Sequence, residues 1–293
     1  MNEEERFKIE YFDLLLDDFK KKILGRAHGN YTKHYESFKR IENTEVFFRK
    51  EISRRNKSNV LDIGCGDGYH VCVFNTNKDV QEKASFIGID ISPTKIDIAS
   101  HLARALSFEN VSFRIGSAEA LEFSDNSMDI VLCSDVVEHL SYPEKCFTDI
   151  FRILKPGGVA IITTPNASYP LLKLKEYIRG NNKILTDKEE HISLKGLKEW
   201  IRISRNSGFT VSDVRRGALI FGGYPYNRHP VLFSFIILID QIFDHLPFSK
   251  NWGEAITLKL SKSGNLGPRT ERSYRFWIAI IILSLTGSKT VHL

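Results

Sequence analysis

The run Val60-Leu61-Asp62-Ile63-Gly64-Cys65-Gly66-Asp67-Gly68 constrains this chain more than any other stretch, because an apolar strand runs there straight into a loop with three alternating glycines. Glycine turns the backbone through positive φ and lets a ligand come close where a Cβ would clash. A helical pattern follows, so the loop should offer free N–H groups and a helix N-terminus to whatever binds there. These are the features of a nucleotide-type pocket.

Spacing narrows the choice of nucleotide. A dinucleotide fingerprint reads G-x-G-x-x-G, but counted from Gly64 its third glycine position holds Tyr69, and the third glycine comes one residue early at Gly68. A second apolar run, Ala84 to Ser92, carries Asp90 where Rossmann-type folds set an acid on ribose hydroxyls. An acceptor-only carboxylate suits a vicinal diol. The competing reading has Asp90 capping the helix that Ser92-Pro93 opens. Next in order come Gly116-Ser117-Ala118-Glu119-Ala120-Leu121, a strand from Met128 to Ser134, Asp135-Val136-Val137-Glu138-His139-Leu140, and Leu154-Lys155-Pro156-Gly157-Gly158 opening a strand at Val159.

In this order and spacing, over about residues 55 to 170, the motifs resemble those of the class I S-adenosylmethionine (SAM) methyltransferases. The resemblance implies an α/β fold, a Rossmann-like doubly wound sheet of seven strands with an antiparallel last strand. It implies SAM as cofactor and no metal, with Asp62, Gly64, Gly66, Gly68, Asp90, Ile91, Ala118, Glu119 and Ser134 as cofactor-binding residues. The family's adenine-side loop has an Asp where this chain has Ser117. Two histidines are candidates for the acceptor side: His139, at the mouth of the fourth strand, and His191, at a position that faces substrate in related small-molecule O-methyltransferases. An imidazole with a pKa near 6.5 takes a hydroxyl proton at neutral pH. The competing roles are a structural hydrogen bond for His139 and a helix cap for His191.

A chain of 293 residues with 42% apolar and 26% charged residues suits one substantial α/β core with additions. Its formal charge of +5 comes without a dense Lys/Arg tract, which argues against nucleic acid as a partner. Cys65, Cys72, Cys133 and Cys146 form no C-x-x-C pair, so neither zinc nor a disulfide framework is indicated, and a reduced cytoplasmic protein is expected. The acidic start Met1-Asn2-Glu3-Glu4-Glu5 is unlike a secretory signal. No apolar run reaches the roughly 18 to 20 residues of a bilayer span.

Three parts are expected along the chain. Residues 1–54 read as a helical cap, in which Glu45 to Ile52 is a helix and Tyr31 and Tyr35 either line the pocket or pack between helices. Residues 55–262 form the methyltransferase domain, with Phe209 to Arg215 as sixth strand and Gly253 to Leu260 as seventh, whose alternation suits an antiparallel edge. Within it, Pro230 to Pro247 reads as an apolar helix that either packs on the sheet or forms a lid or membrane-facing surface. Residues 263–293 are a tail in which Arg269, Arg272, Tyr274 and Arg275 precede the apolar run Phe276 to Leu285, which reads as an interfacial anchor or a docked helix. Membrane-surface contact through 230–247 or 274–286 follows, with a peripheral location.

The resemblance is to the group that includes polyprenyl-quinone O-methyltransferases and enzymes that modify glycans or lipid-linked glycans. It implies a small-molecule acceptor, with a hydroxyl on a lipophilic, quinone or glycan- or lipid-linked compound preferred because no Asn-Pro-Pro-Tyr signature follows the fourth strand. The rivals are a non-catalytic SAM-binding scaffold and a Rossmann oxidoreductase.

Overall fold

The structure, a computed structural model, describes residues 35–170, 192–219, 230–246 and 249–263. Helix α1 (Tyr35–Ile52) leads into strand β1 (Ser58–Ile63), which is followed by the short helices α2 (Tyr69–Phe74) and α3 (Lys78–Lys83). Then come β2 (Ala84–Asp90), α4 (Pro93–Ala105), β3 (Val111–Ile115), β4 (Met128–Ser134), α5 (Pro143–Ile153) and β5 (Leu154–Pro165). The remainder comprises α6 (Leu197–Asn206), β6 (Thr210–Arg216), α7 (Pro230–Asp244) and β7 (Ala255–Ser261). The seven strands form one sheet in the order β3-β2-β1-β4-β5-β7-β6. Strands β1 to β5 run parallel, and β7 is antiparallel to both β5 and β6.

Alternation along the buried strands builds two cores. On β4, Val131 and Cys133 face a layer made by α5 and α6, where Phe147 stacks on Trp200 at 5.9 Å between ring centroids. Ile130 and Leu132 point the other way, into a layer where Phe48 of α1 stacks on Phe74 of α2 at 4.6 Å. Successive side chains of a strand leave on opposite faces, so a near-continuous apolar strand is what a sheet covered on both sides requires.

One expectation needs correction. The seventh strand is antiparallel, but it lies inside the sheet between β5 and β6, and the edges are β3 and β6. Its polar alternates are buried rather than solvated. Thr257 accepts a hydrogen bond from Thr163 Oγ1 at 3.2 Å, and Lys259 pairs with Glu51 of α1. Burial raises the Glu51 pKa, but Lys259 and Arg55 together hold it below the ordinary carboxylate value.

Helix α7 lies within the apolar run Pro230 to Pro247. Among its described side chains, Asp240 and Asp244 make ionic contacts inward, Phe243 lies 6.3 Å from Trp252 between ring centroids, and Phe235, Leu238 and Ile242 are exposed. No helix among the described residues is long and apolar enough to cross a membrane. All four cysteines are buried free thiols; burial and the nearby Asp67 carboxylate push Cys72 up to about 12.

Candidate active site

A doubly wound sheet leaves a crevice at the carboxyl ends of its strands where connections reverse direction. Here that point lies between β1 and β4, and the glycine loop leaves β1 directly into it. Gly64, Gly66 and Gly68 have φ of 66°, 54° and 79°. At Gly64 a Cβ would meet Val136 Cγ2 at 2.3 Å, so the protein's own packing demands glycine there. At Gly66 a Cβ would meet nothing within 4 Å, which leaves the approach to its backbone open.

Asp90 holds this loop to the end of β2. Its Oδ2 accepts the Gly66 N–H at 3.0 Å and its Oδ1 accepts the Ser92 N–H at 2.9 Å. The N-cap of α4 is Ser92, whose hydroxyl accepts the Lys95 N–H at 3.4 Å. Asp62 stands behind the loop, 1% exposed, and its Oδ2 lacks a hydrogen-bond partner. Burial, with a contribution from the Asp90 charge, raises its pKa to about 8. Ser134 Oγ, at the end of β4, is likewise buried and without a partner.

On the far side of Asp90, Ile91 and Ile115 are 74% and 61% exposed at the ends of β2 and β3. The neighbouring loop buries Ala118, and Ser117 Oγ accepts the Glu119 N–H at 3.2 Å. The Glu119 carboxylate accepts the Ser141 N–H at 3.0 Å, tying this loop to the connection after β4. Ser117 thus shapes the turn at the position where the family has Asp.

On the near side, a pocket of about 150 Å³ is lined by Arg40, Ile41 and Thr44 of α1, Tyr69 and His70 of α2, and Ser134, Asp135 and Thr163 at the strand ends. Arg40 pairs with Asp135 at 3.1 Å and approaches Glu254 at 3.8 Å. Thr44 and Thr163 share a hydrogen bond of 3.1 Å. The 3-10 turn Val137–His139 closes this end. Within it Glu138 is buried, its Oε2 accepts from Thr164 Oγ1 at 3.1 Å, and its Oε1 has no hydrogen-bond partner. Burial, then the Asp135 charge, raises Glu138 to about 8.

His139 is 39% exposed, with Nε2 4.0 Å from Glu138 Oε1, beyond the residues that line the pocket. The Glu138 carbonyl accepts the Ser193 N–H at 2.8 Å. His191, Tyr31 and the tail lie outside the described residues, as does the side chain of Tyr35. Sequence reasoning missed Arg40, Thr44, Thr163, Glu138 and Ile115. Ile115 carried a signal, an apolar strand end directly before Gly116, whereas Arg40 and Thr44 are ordinary helix residues until the helix is placed.

A family model for a methyltransferase domain matches residues 54–208, more than half of the chain. The chain belongs to the class I SAM-dependent methyltransferases. Among relatives of this methyltransferase chain, the uncharacterised methyltransferase YcgJ of Bacillus subtilis is 30% identical over 167 residues, covering 57% of this chain and 63% of that one. The ubiquinone biosynthesis O-methyltransferase of Pseudomonas fluorescens is 32% identical over 165 residues, covering 53% and 66%. Phosphoethanolamine N-methyltransferase 1 of Arabidopsis thaliana is 27% identical over 203 residues, covering 68% and 38%. The methyltransferase chain therefore spans 38% to 66% of the length of these curated relatives. The solved structure of Bacillus YcgJ superposes with a TM-score of 0.51 at 20% identity, covering 76% of this chain and all of that one, and so shares the fold. The cyclase SpnF does so as well, with a TM-score of 0.53 at 17% identity, covering 75% and 81%.

Proposed function

We propose that this chain transfers the methyl group of SAM to a small-molecule acceptor, at a hydroxyl of a lipophilic, quinone or glycan- or lipid-linked compound. The observations that carry the cofactor assignment are two buried oxygens left without partners, Asp62 Oδ2 on β1 and Ser134 Oγ at the end of the neighbouring β4, and the open approach to the Gly66 backbone. A buried polar atom without a partner is costly, so these atoms fit a ligand that brings donors, as the ammonium end of an amino acid does. Asp62, Gly64, Gly66, Gly68 and Ser134 hold that end. The Arg40–Asp135 pair offers the opposite charges that a carboxylate and an ammonium need. Asp90 takes the ribose hydroxyls, and Ile91 with Ala118 and Glu119 borders the base.

Bound there, SAM supplies a methyl group activated on sulfonium. Displacement gains most from holding acceptor and methyl in line, which falls to the walls that α1 and α2 give the pocket. A base removes the acceptor's proton. His139 and His191 are assigned to that step, as the resemblance to related O-methyltransferases implies. The O-methyltransferase among the relatives supports a hydroxyl acceptor, and a lipophilic acceptor would call for a membrane-peripheral location.

The test is to feed methyl-labelled SAM with lipid and soluble extracts and identify the labelled product by mass spectrometry. An O-methylated product in the lipid fraction is expected. An N-methylated product would overturn the choice of atom, and SAM binding without product from any extract would favour the scaffold.

A further inference from the structure

Residues four apart lie on one face of a helix, so α1 carries two adjacent stripes, Lys39-Asn43-Phe47 and Arg40-Thr44. The first faces β6 and α7. Asn43 Nδ2 donates to the Arg216 carbonyl at 2.8 Å, and the Arg215 guanidinium lies 5.5 Å from the centroid of the Phe47 ring. Lys39 pairs with Asp240 and Asp244 of α7. The second stripe faces the pocket. Arg40 and Thr44 both line it, Arg40 paired with Asp135 at 3.1 Å and Thr44 sharing a hydrogen bond of 3.1 Å with Thr163.

The grip on the first stripe is an ion cluster. Lys39, Arg216 and Asp240 are all buried. Asp240 Oδ1 accepts from Arg216 at 2.7 Å and from the Leu219 N–H at 2.6 Å, and its Oδ2 pairs with Lys39. Asp244 pairs with the same two cations, at 2.8 Å to Lys39 and 2.9 Å to Arg216. Two cations thus meet two carboxylates, and the balance depends on α7. Without a carboxylate the cations would stand buried with excess positive charge, which is costly. The relief open to Lys39 is a turn of α1 towards solvent, and Arg40, the next residue, would leave the pocket wall with it. The other end of α1 is held separately, by Glu51 pairing with Lys259 of β7 and with Arg55, about 18 Å along the helix from Lys39 at 1.5 Å per residue.

We propose that Asp240 and Asp244 are positioning residues for the cofactor pocket, fixing through Lys39 and Arg216 the rotation of α1 that sets Arg40 and Thr44 in its wall. The inference rests on the reading that this pocket takes the amino-acid end of SAM. Neither carboxylate lines the pocket, so each acts through α1. Such coupling is reciprocal: a ligand that binds better with α1 in place favours the closed cluster by the same factor. The buried Leu219 N–H, bonded to Asp240 Oδ1, reports it, because its exchange with solvent requires that bond to open.

The experiment is a calorimetric titration of the full chain with SAM, at a temperature where circular dichroism shows each variant folded. Asp240→Asn and Asp244→Asn should each weaken SAM binding about fivefold or more. Asp244 is 38% exposed, so its variant keeps the test open where the fully buried Asp240 tolerates no change. Glu51→Gln, which loosens the far end of α1, should leave SAM affinity unchanged. In wild type, SAM should slow hydrogen exchange at the Leu219 amide, and in Asp244→Asn that slowing should shrink. Wild-type SAM affinity in folded Asp244→Asn would overturn the inference, as would Leu219 exchange that SAM leaves unaltered. An equal loss of affinity in Glu51→Gln would overturn it too, since general loosening of α1 would then account for the effect. A wild type that binds no SAM would overturn the functional reading and the inference with it, so the two failures are distinguishable.

Discussion

Asp62 carries the sharpest consequence at the scale of single residues. Its folded pKa of about 8 lies above the unfolded carboxylate value, so the folded state holds the extra proton in between. Stability contributed by this group therefore falls as pH rises towards 8 and is level above it. Glu138, also near 8, acts with the same sign. A ligand bringing positive charge favours ionised Asp62 and must release its proton on binding. SAM affinity should then rise by up to roughly tenfold per pH unit between pH 6 and 7, and Asp62→Asn should flatten that slope; titration calorimetry at both pH values checks it, and a flat wild-type profile would separate Asp62 from the ligand. Gly64→Ala should destabilise through two causes, the clash with Val136 and the φ of 66°. Adding Val136→Ala should recover the first and leave roughly 1–2 kcal/mol for the backbone, measured by urea unfolding. Recovery by the second mutation that is complete would show that the left-handed backbone costs nothing here. The glycine loop and Asp90 were legible in sequence because each motif sits within one strand-to-loop run. Arg40 and Thr44 were not, because they reach the pocket from a separate helix and carry no local signature.

Elements were legible where a period of 2 or 3.6 reports burial directly, and misleading where polar residues are buried in pairs. The alternation Ile256-Thr257-Leu258-Lys259-Leu260 looks like a half-solvated edge, yet Thr163 and Glu51 wait on the buried side. In α7, Asp240 interrupts an apolar run and is matched by a lysine 201 residues earlier and an arginine 24 residues earlier. Partners so distant leave no trace in local pattern. Removing one member of a buried pair strands the other charge, so Asp240→Ala should cost about 3–5 kcal/mol and lower the urea midpoint. A midpoint like that of wild type would mean that α7 is held by something other than this clamp.

For the molecule as a whole, the sheet order places the ends of β1, β2 and β4 in one crevice, which gathers Asp62, Asp90 and Ser134 from three strands. That half of the site follows from motif order. The walls that α1 gives the pocket rest on long-range contacts, and fold alone does not decide the acceptor's chemistry; SpnF, a cyclase, shares the fold. The most direct measurement is therefore a calorimetric titration of the full chain with SAM and, separately, with NAD. A single saturable SAM site is predicted, absent for NAD, and weakened about tenfold or more in Asp90→Ala, as loss of a charged-group hydrogen bond implies. Saturable NAD binding with no SAM binding would contradict the account.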